Sequence, residues 1–177
     1  MKKYEFTGET KEIRLLFRTA TLHRIRATVA FGIVEVGDLG GWIEKEENLS
    51  HEGKAWVCGD AKVWGNAKVC GDAKVCGDAE VCGDAKVWGN AEVFSASHVL
   101  VIGAIGSRND FTTFYRDKDN EITVKCGCFL GKIDRFLEKV TQTHGDSKYA
   151  LVYRAAVEVA KLQIDLSGEA PKDADEE

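Results

Sequence analysis

The chain has 177 residues, 44% apolar and 30% charged, enough for one domain with its own core and too apolar for a disordered chain. Its 24 basic and 29 acidic residues give a net charge of −5, which argues against a protein held to duplex nucleic acid by net charge. The longest small-or-apolar run, Val99 to Gly106, is eight residues, far short of the ~18 of a spanning helix, so no membrane association is expected.

The start, Met1-Lys2-Lys3-Tyr4-Glu5-Phe6, has no hydrophobic stretch behind its lysines, and a cytoplasmic protein is expected. Residues 1–40 read as a capping segment of mixed short strands, with Ile13, Leu15, Phe17, Leu22, Ile25 and Val29 as its apolar positions. Eighteen glycines against a single proline then point to many turns of one kind, and so to a repeat.

The repeat fills residues 41–100. Val57, Val63, Val69, Val75, Val81, Val87, Val93 and Val99 stand six apart without a slip, and Ala55, Ala61, Ala67, Ala73, Ala79, Ala85 and Ala91 precede the first seven by two. Gly59, Gly65, Gly71, Gly77, Gly83 and Gly89 follow, each before Asp or Asn. A period of six cannot keep valine on one helix face, whereas Ala and Val two apart share one face of a short strand. Gly-Asp or Gly-Asn then turns a corner, because both residues tolerate positive φ. Three sides close a triangle, so one coil takes 18 residues and successive coils pair as parallel strands. Upstream, Gly41-Trp42-Ile43 and Leu49 fit the spacing if two residues are inserted before Val57.

Eighteen-residue spacing places Cys58, Cys76 and Phe94 in one outward column beside Trp56, Lys74 and Glu92. A second holds Trp64, Cys82 and Leu100 beside Lys62, Glu80 and His98; a third holds Cys70 and Trp88 beside Lys68 and Lys86. Lys74 over Glu92 and Lys62 over Glu80 are favourable pairs. Lys68 over Lys86 is a like-charge pair beside Trp88, the best candidate in the repeat for an anionic contact. Cys58, Trp64, Cys70, Cys76, Cys82, Trp88 and Phe94 form exposed apolar columns that another segment or another subunit should cover. The six cysteines are expected as reduced thiols, given no export signal, and Cys58 and Cys76, although stacked neighbours, are expected unbridged because outward Cβ atoms ~4.8 Å apart exceed comfortable disulfide geometry. No Cys-x-x-Cys exists and the corner Asp residues are turn residues, so neither zinc nor calcium is expected, nor any cofactor.

After Val99 the period breaks. Residues 101–168 read as an α+β module: a hairpin of Phe111 to Arg116 and Ile122 to Cys128, then two helices. The first carries Ile133, Phe136, Leu137 and Val140 at helical spacing, the second Tyr149, Val152, Tyr153, Ala156, Val159, Ala160 and Ile164, ended by Gly168 and Pro171. Residues 169–177 read as a disordered acidic tail. Gly103 to Asp110 is either a plain loop or a backbone cradle for an anion, with Ser107, Arg108, Asn109 and Asp110 as contacts. Cys126 and Cys128 on one strand face, with His144 and Asp146, are a weak candidate for thiol chemistry.

The tandem hexads resemble the left-handed parallel β-helix of the hexapeptide-repeat family. The expected fold is thus mainly β: a triangular solenoid of about three coils with a small C-terminal α+β module. The leader Gly37 to Ile43 with Asn48-Leu49-Ser50, together with Gly106 to Asp110 and Cys126-Gly127-Cys128-Phe129, resembles an uncharacterised bacterial and prophage branch of that family. The resemblance implies a homo-oligomer, a trimer with coils side by side. Many members are acyltransferases using a coenzyme thioester and a histidine base, for which His98 would be the residue here, although its setting departs from theirs. The function expected is a non-enzymatic binding or scaffold protein, phage-encoded, acting on a host protein or a small anionic ligand, with acyl transfer as the alternative. DNA mimicry fits badly, because outward lysines outnumber Glu80 and Glu92.

Overall fold

The computed structural model describes residues 2–167. The acidic tail at 169–177, and the proposed helix terminators Gly168 and Pro171, lie outside the described residues. Among the described residues, fourteen strands and two α-helices make a mainly β fold with several sheets, short parallel strands in the middle and both α-helices after the last strand.

The chain opens with two strands, β1 (Tyr4–Arg14) and β2 (Thr19–Ala27), paired antiparallel from Tyr4↔Ala27 to Arg14↔Thr19. This is one long hairpin, where mixed short strands were expected. Its alternation is half-buried: Leu22 and Ile25 are enclosed while Glu5, Glu12 and Arg14 face water. β3 (Leu39–Ile43) joins β2 antiparallel and carries the sheet into the repeat, since Trp42 and Ile43 pair in parallel with Lys62 and Val63.

The repeat units form seven two-residue strands: β4 (Trp56–Val57), β5 (Lys62–Val63), β6 (Lys68–Val69), β7 (Lys74–Val75), β8 (Glu80–Val81), β9 (Lys86–Val87) and β10 (Glu92–Val93). Each pairs with a unit 18 residues away along the chain. A first stack is β4–β7–β10, a second is β3–β5–β8, and a third is β6–β9, extended by a bridge from Leu49 to Val69. Ile43↔Val63 and Leu49↔Val69 are 20 apart, so the two-residue insertion falls between Leu49 and Val57. The repeat valines and alanines of all three stacks lie in one core, each at most 1% exposed from Val57 to Val93. Burying each valine is worth ~1.5–3 kcal/mol, well above the few tenths of the outward ion pairs Lys62–Glu80 at 2.9 Å and Lys74–Glu92 at 3.8 Å. In the turns between units glycine is required. Gly71 has φ 75°, and a Cβ there would lie 2.9 Å from the backbone nitrogen of Gly89 above it.

The C-terminal module is larger than a hairpin and two helices. β11 (Val99–Ile105), β12 (Asp110–Arg116), β13 (Ile122–Cys126) and β14 (Phe129–Lys132) form a four-stranded antiparallel sheet. β11 begins at the last repeat valine, and its unbroken apolar run serves two faces: Val99 and Val101 pack on the repeat core, Leu100 and Ile102 on the helices. α1 (Ile133–His144) buries Ile133, Phe136 and Val140. α2 (Lys148–Gln163) buries Ala150, Tyr153, Ala156, Val157 and Ala160. Val159 and Tyr149, expected inward, are exposed; the inward stripe runs through Ala150 and Val157 instead, which keeps the 3–4 spacing with Tyr153 and Ala160.

Two cysteine expectations change. Cys58 and Cys76 are joined by a disulfide, their Cα atoms 4.5 Å apart, close enough on neighbouring strands to be bridged. Cys128 is not on a strand: Gly127, at φ 55°, and Cys128 form the two-residue turn between β13 and β14.

Candidate functional site

The C-terminal sheet packs on β9 of the third stack and β10 of the first, with the helices on its other side, and its period-2 alternation decides which residues meet the repeat. Thr113 is opposite Lys125, and Lys125 opposite Leu130, so these three share the face turned toward the stack. Tyr115, on that face, donates its hydroxyl to the Trp88 carbonyl at 2.9 Å, and Thr113 Oγ1 accepts the Lys86 backbone N–H at 3.0 Å. These bonds fix the seam. Between them Lys125 lies with its ammonium 4.5 Å from the Trp88 ring centroid and donates to the Gly127 carbonyl. Gly127 in turn faces Arg108: a Cβ on it would lie 3.2 Å from the guanidinium.

Lys68, Lys86 and Trp88 on one side, and the turn holding Arg108 on the other, are thereby brought to one seam, with Lys125 between them. Lys68 pairs directly with Lys86 in the third stack. None of Lys68, Lys86, Arg108 and Lys125 is in an ion pair among the described residues, whereas Lys62 and Lys74 on the other two stacks are matched by Glu80 and Glu92. Burial holds the Lys125 amine below the usual lysine range, and Lys86 presses it further down, with Cys128, Cys126 and Asp110 acting against. Lys125 is only 5% exposed. The Trp88 indole N–H is buried without a hydrogen-bond partner, which costs ~1–3 kcal/mol while it stays unpaired. Three ammoniums, a guanidinium and an unpartnered N–H can hold a carboxylate or phosphate.

The other contact candidates divide. Ser107, Arg108 and Asn109 are exposed in a tight turn between β11 and β12, closed by the Asn109 N–H to the Gly106 carbonyl at 3.3 Å. Asp110 starts β12 and its carboxylate accepts the Phe111 N–H at 2.7 Å. The eight-residue cradle does not form, because Gly103, Ala104 and Ile105 are taken into β11. Lys125 escaped the sequence reading: in Ile122-Thr-Val-Lys-Cys it looks like an ordinary outward strand residue, and nothing local says that its face will be covered.

His98 is not placed as a base. It is 6% exposed in a single 3₁₀ turn, Ala96–His98, and its Nδ1 accepts the Phe94 N–H at 3.1 Å. Burial and then the Arg116 charge lower its pKa, while Asp165 and Asp78 act the other way. Cys126 and His144 do not meet either. Cys126 Sγ accepts from Thr112 Oγ1 at 3.3 Å, while His144, at the end of α1, lies against Tyr153 at 5.8 Å between ring centroids.

The outward columns are mostly covered by the chain itself. Trp64, expected at an oligomer interface, is buried with Leu22 and Trp42 and backed by Ile13 and Leu15 of the N-terminal hairpin. Trp88 is half-covered by the C-terminal sheet, Cys70 is half-buried, and Cys82 is exposed. Cys58, Cys76 and Phe94 instead floor a groove of about 340 Å³ on the first stack, roofed by the turn Phe31 to Val34. Phe31 stands edge-on to Trp56 at 5.4 Å, and its backbone exchanges two hydrogen bonds with Val34, both 2.9 Å.

Among the described residues no three His, Cys, Asp or Glu side chains converge as a metal site, and no helix is long and apolar enough to cross a membrane. No family model matches the chain, and no curated protein matches it.

Proposed function

We propose that this chain is a non-enzymatic binding protein that holds an anionic ligand at the seam of Lys68, Lys86, Trp88, Arg108 and Lys125. The observation that carries the reading is the set of four cations without a carboxylate partner along one seam, where the Lys125 ammonium lies on the Trp88 ring and the buried indole N–H has no acceptor. An anion bound there would relieve the repulsion between Lys86 and Lys125 and satisfy the indole. In this reading the three stacks are the sides of a left-handed parallel β-helix of about three coils, wound at 18 residues per coil, and the chain is a member of the hexapeptide-repeat family's bacterial and prophage branch. The pairing of units 18 apart around one valine core supports that winding. The β-helix is the rigid half of the site and the C-terminal sheet the other half. A phage-encoded chain of this kind would take its anion from a host molecule or an acidic host protein, and the family resemblance favours a homotrimer.

Tryptophan fluorescence during titration with inorganic phosphate, citrate and polyglutamate tests the reading, with Trp88→Phe identifying the reporter. Saturable binding is expected, weakened about tenfold by Lys86→Ala or Lys125→Met and by raised salt. Absence of saturable binding to all three probes, or equal binding by both variants, would refute the anion site.

A further inference from the structure

The hairpin of β1 and β2 ends in a feature that its own fold does not use. Leu15 donates its N–H to the Arg18 carbonyl at 2.8 Å, which leaves Leu16 and Phe17 as the two central residues of the turn. Such turns are normally Asn-Gly or Asp-Gly, chosen for backbone fit and solubility. Here both are large and apolar, and Leu16 is 88% and Phe17 94% exposed. The tip is nonetheless held in place. Arg18 is bonded to Glu44, whose carboxylate also accepts the Gly65 N–H at 2.7 Å, and Ile13 and Leu15 pack behind it against Trp42 and Trp64. An exposed aromatic on a fixed neck is a pre-organised anchor.

The groove on the first stack is the complementary orphan. Phe31, Val34, Trp56, Phe94 and the Cys58–Cys76 disulfide line it, and Ile33, 68% exposed, stands on its rim. Charge fits as well. Glu12 and Arg14, on the water-facing side of β1 leading to the tip, have no ion-pair partner among the described residues, nor do Lys54 and Asp72 at the groove. The tip cannot reach the groove of its own chain. The groove's roof, Phe31 to Val34, follows Ala27 at the base of the hairpin, and the tip lies about 26 Å away along eight residues of β2.

We infer that Leu16 and Phe17 of one chain seat in the Phe31–Trp56–Phe94 groove of a second copy, with Glu12 and Arg14 facing Lys54 and Asp72. The contact joins two different surfaces, so each chain offers one tip and one groove and the assembly closes as a ring or continues as a filament. It gives the self-association in the proposed function a contact of its own. It stands apart from the anion site: Lys86→Ala leaves it unchanged, so the two readings fail separately.

Sedimentation velocity over a concentration series tests it with Phe17→Ser and Ile33→Asp, both exposed positions whose circular dichroism should match the parent. The parent chain associates, and each variant raises the dissociation constant at least about thirtyfold. A mixture of the two variants restores a heterodimer, because one supplies an intact groove and the other an intact tip. A parent chain that stays monomeric at every concentration, variants that associate like the parent, or a mixture that stays monomeric would each overturn the inference.

Discussion

Breaking the Cys58–Cys76 disulfide should destabilise the protein without unfolding it. The bridge joins residues 18 apart in sequence, the same interval that separates stacked strands, so it ties two neighbouring layers of the first stack. Closing a loop of that length removes about 11 cal/mol/K of chain entropy from the unfolded state, or about 3 kcal/mol at 25 °C. The parallel pairing of β4 with β7 and the buried Val57 and Val75 remain when the bond is gone, so the native state survives. For a chain of this size the loss corresponds to a fall in melting temperature of about 6–12 °C. The assay is thermal unfolding of the parent with and without reductant, beside the double variant Cys58→Ala/Cys76→Ala. Alkylation under denaturing, non-reducing conditions gives the covalent state independently: Cys70, Cys82, Cys126 and Cys128 react, and the two bridged cysteines do so only after reduction. Six reactive thiols before reduction, or a melting temperature that reductant and double variant leave within about 1 °C, would refute the reasoning.

Asp117 is fully enclosed and accepts from the Asp119 N–H at 3.0 Å, Thr123 Oγ1 at 2.6 Å and Lys132 Nζ at 2.5 Å; Asp117→Ala should cost about 3 kcal/mol in denaturant unfolding, at the low end for a broken buried pair because Lys132 keeps Glu121. Gly83→Ala should cost about 1 kcal/mol, since its φ of 65° is the only obstacle, whereas Gly71→Ala should cost more, because its Cβ also meets the Gly89 backbone; equal losses would refute the stacking argument. His98 is held below its ordinary value of 6.5 by burial, so the unfolded chain takes up a proton that the folded chain refuses. Stability is therefore full above pH 6.5 and declines as pH falls from there toward the folded-state value, and His98→Asn should flatten that decline in melts between pH 7.5 and 5.

The repeat was legible because its signal is periodic and local: valine every six residues, with glycine at each corner, specifies the strand faces and the pairing interval together. Leu49 shows how far that reaches, since a two-residue insertion read from spacing alone appears as the 20-residue interval to Val69. The C-terminal sheet was only half legible. Val99 to Ile105 carries apolar residues on both faces, and such a run has no alternation to announce a strand between two layers. The disulfide was missed because stacked strands were taken at their average spacing, while Cys58 and Cys76 approach to 4.5 Å between Cα atoms. Lys125 was missed for a different reason: its role depends on a stack more than 35 residues earlier in the chain, and no local pattern encodes which side chains will meet across that distance.

The three stacks share one core design but are finished differently outside, and that difference argues where function lies. Trp64 on the second stack is sealed by the N-terminal hairpin, so it contributes to stability there. The third stack is covered by a sheet that brings a lysine, Lys125, where an apolar residue would have packed equally well on Trp88. Burying an amine next to Lys86 is unfavourable for folding alone, and among the described residues no carboxylate forms an ion pair with either lysine. The first stack is roofed at its middle by the short turn at Phe31 to Val34, which leaves aromatic surface and a disulfide open to a groove. Folding would have favoured a sealed first stack and a neutral third one. The departures from that optimum coincide with the seam and the groove, and local conflict with stability at these two places is what a binding surface requires.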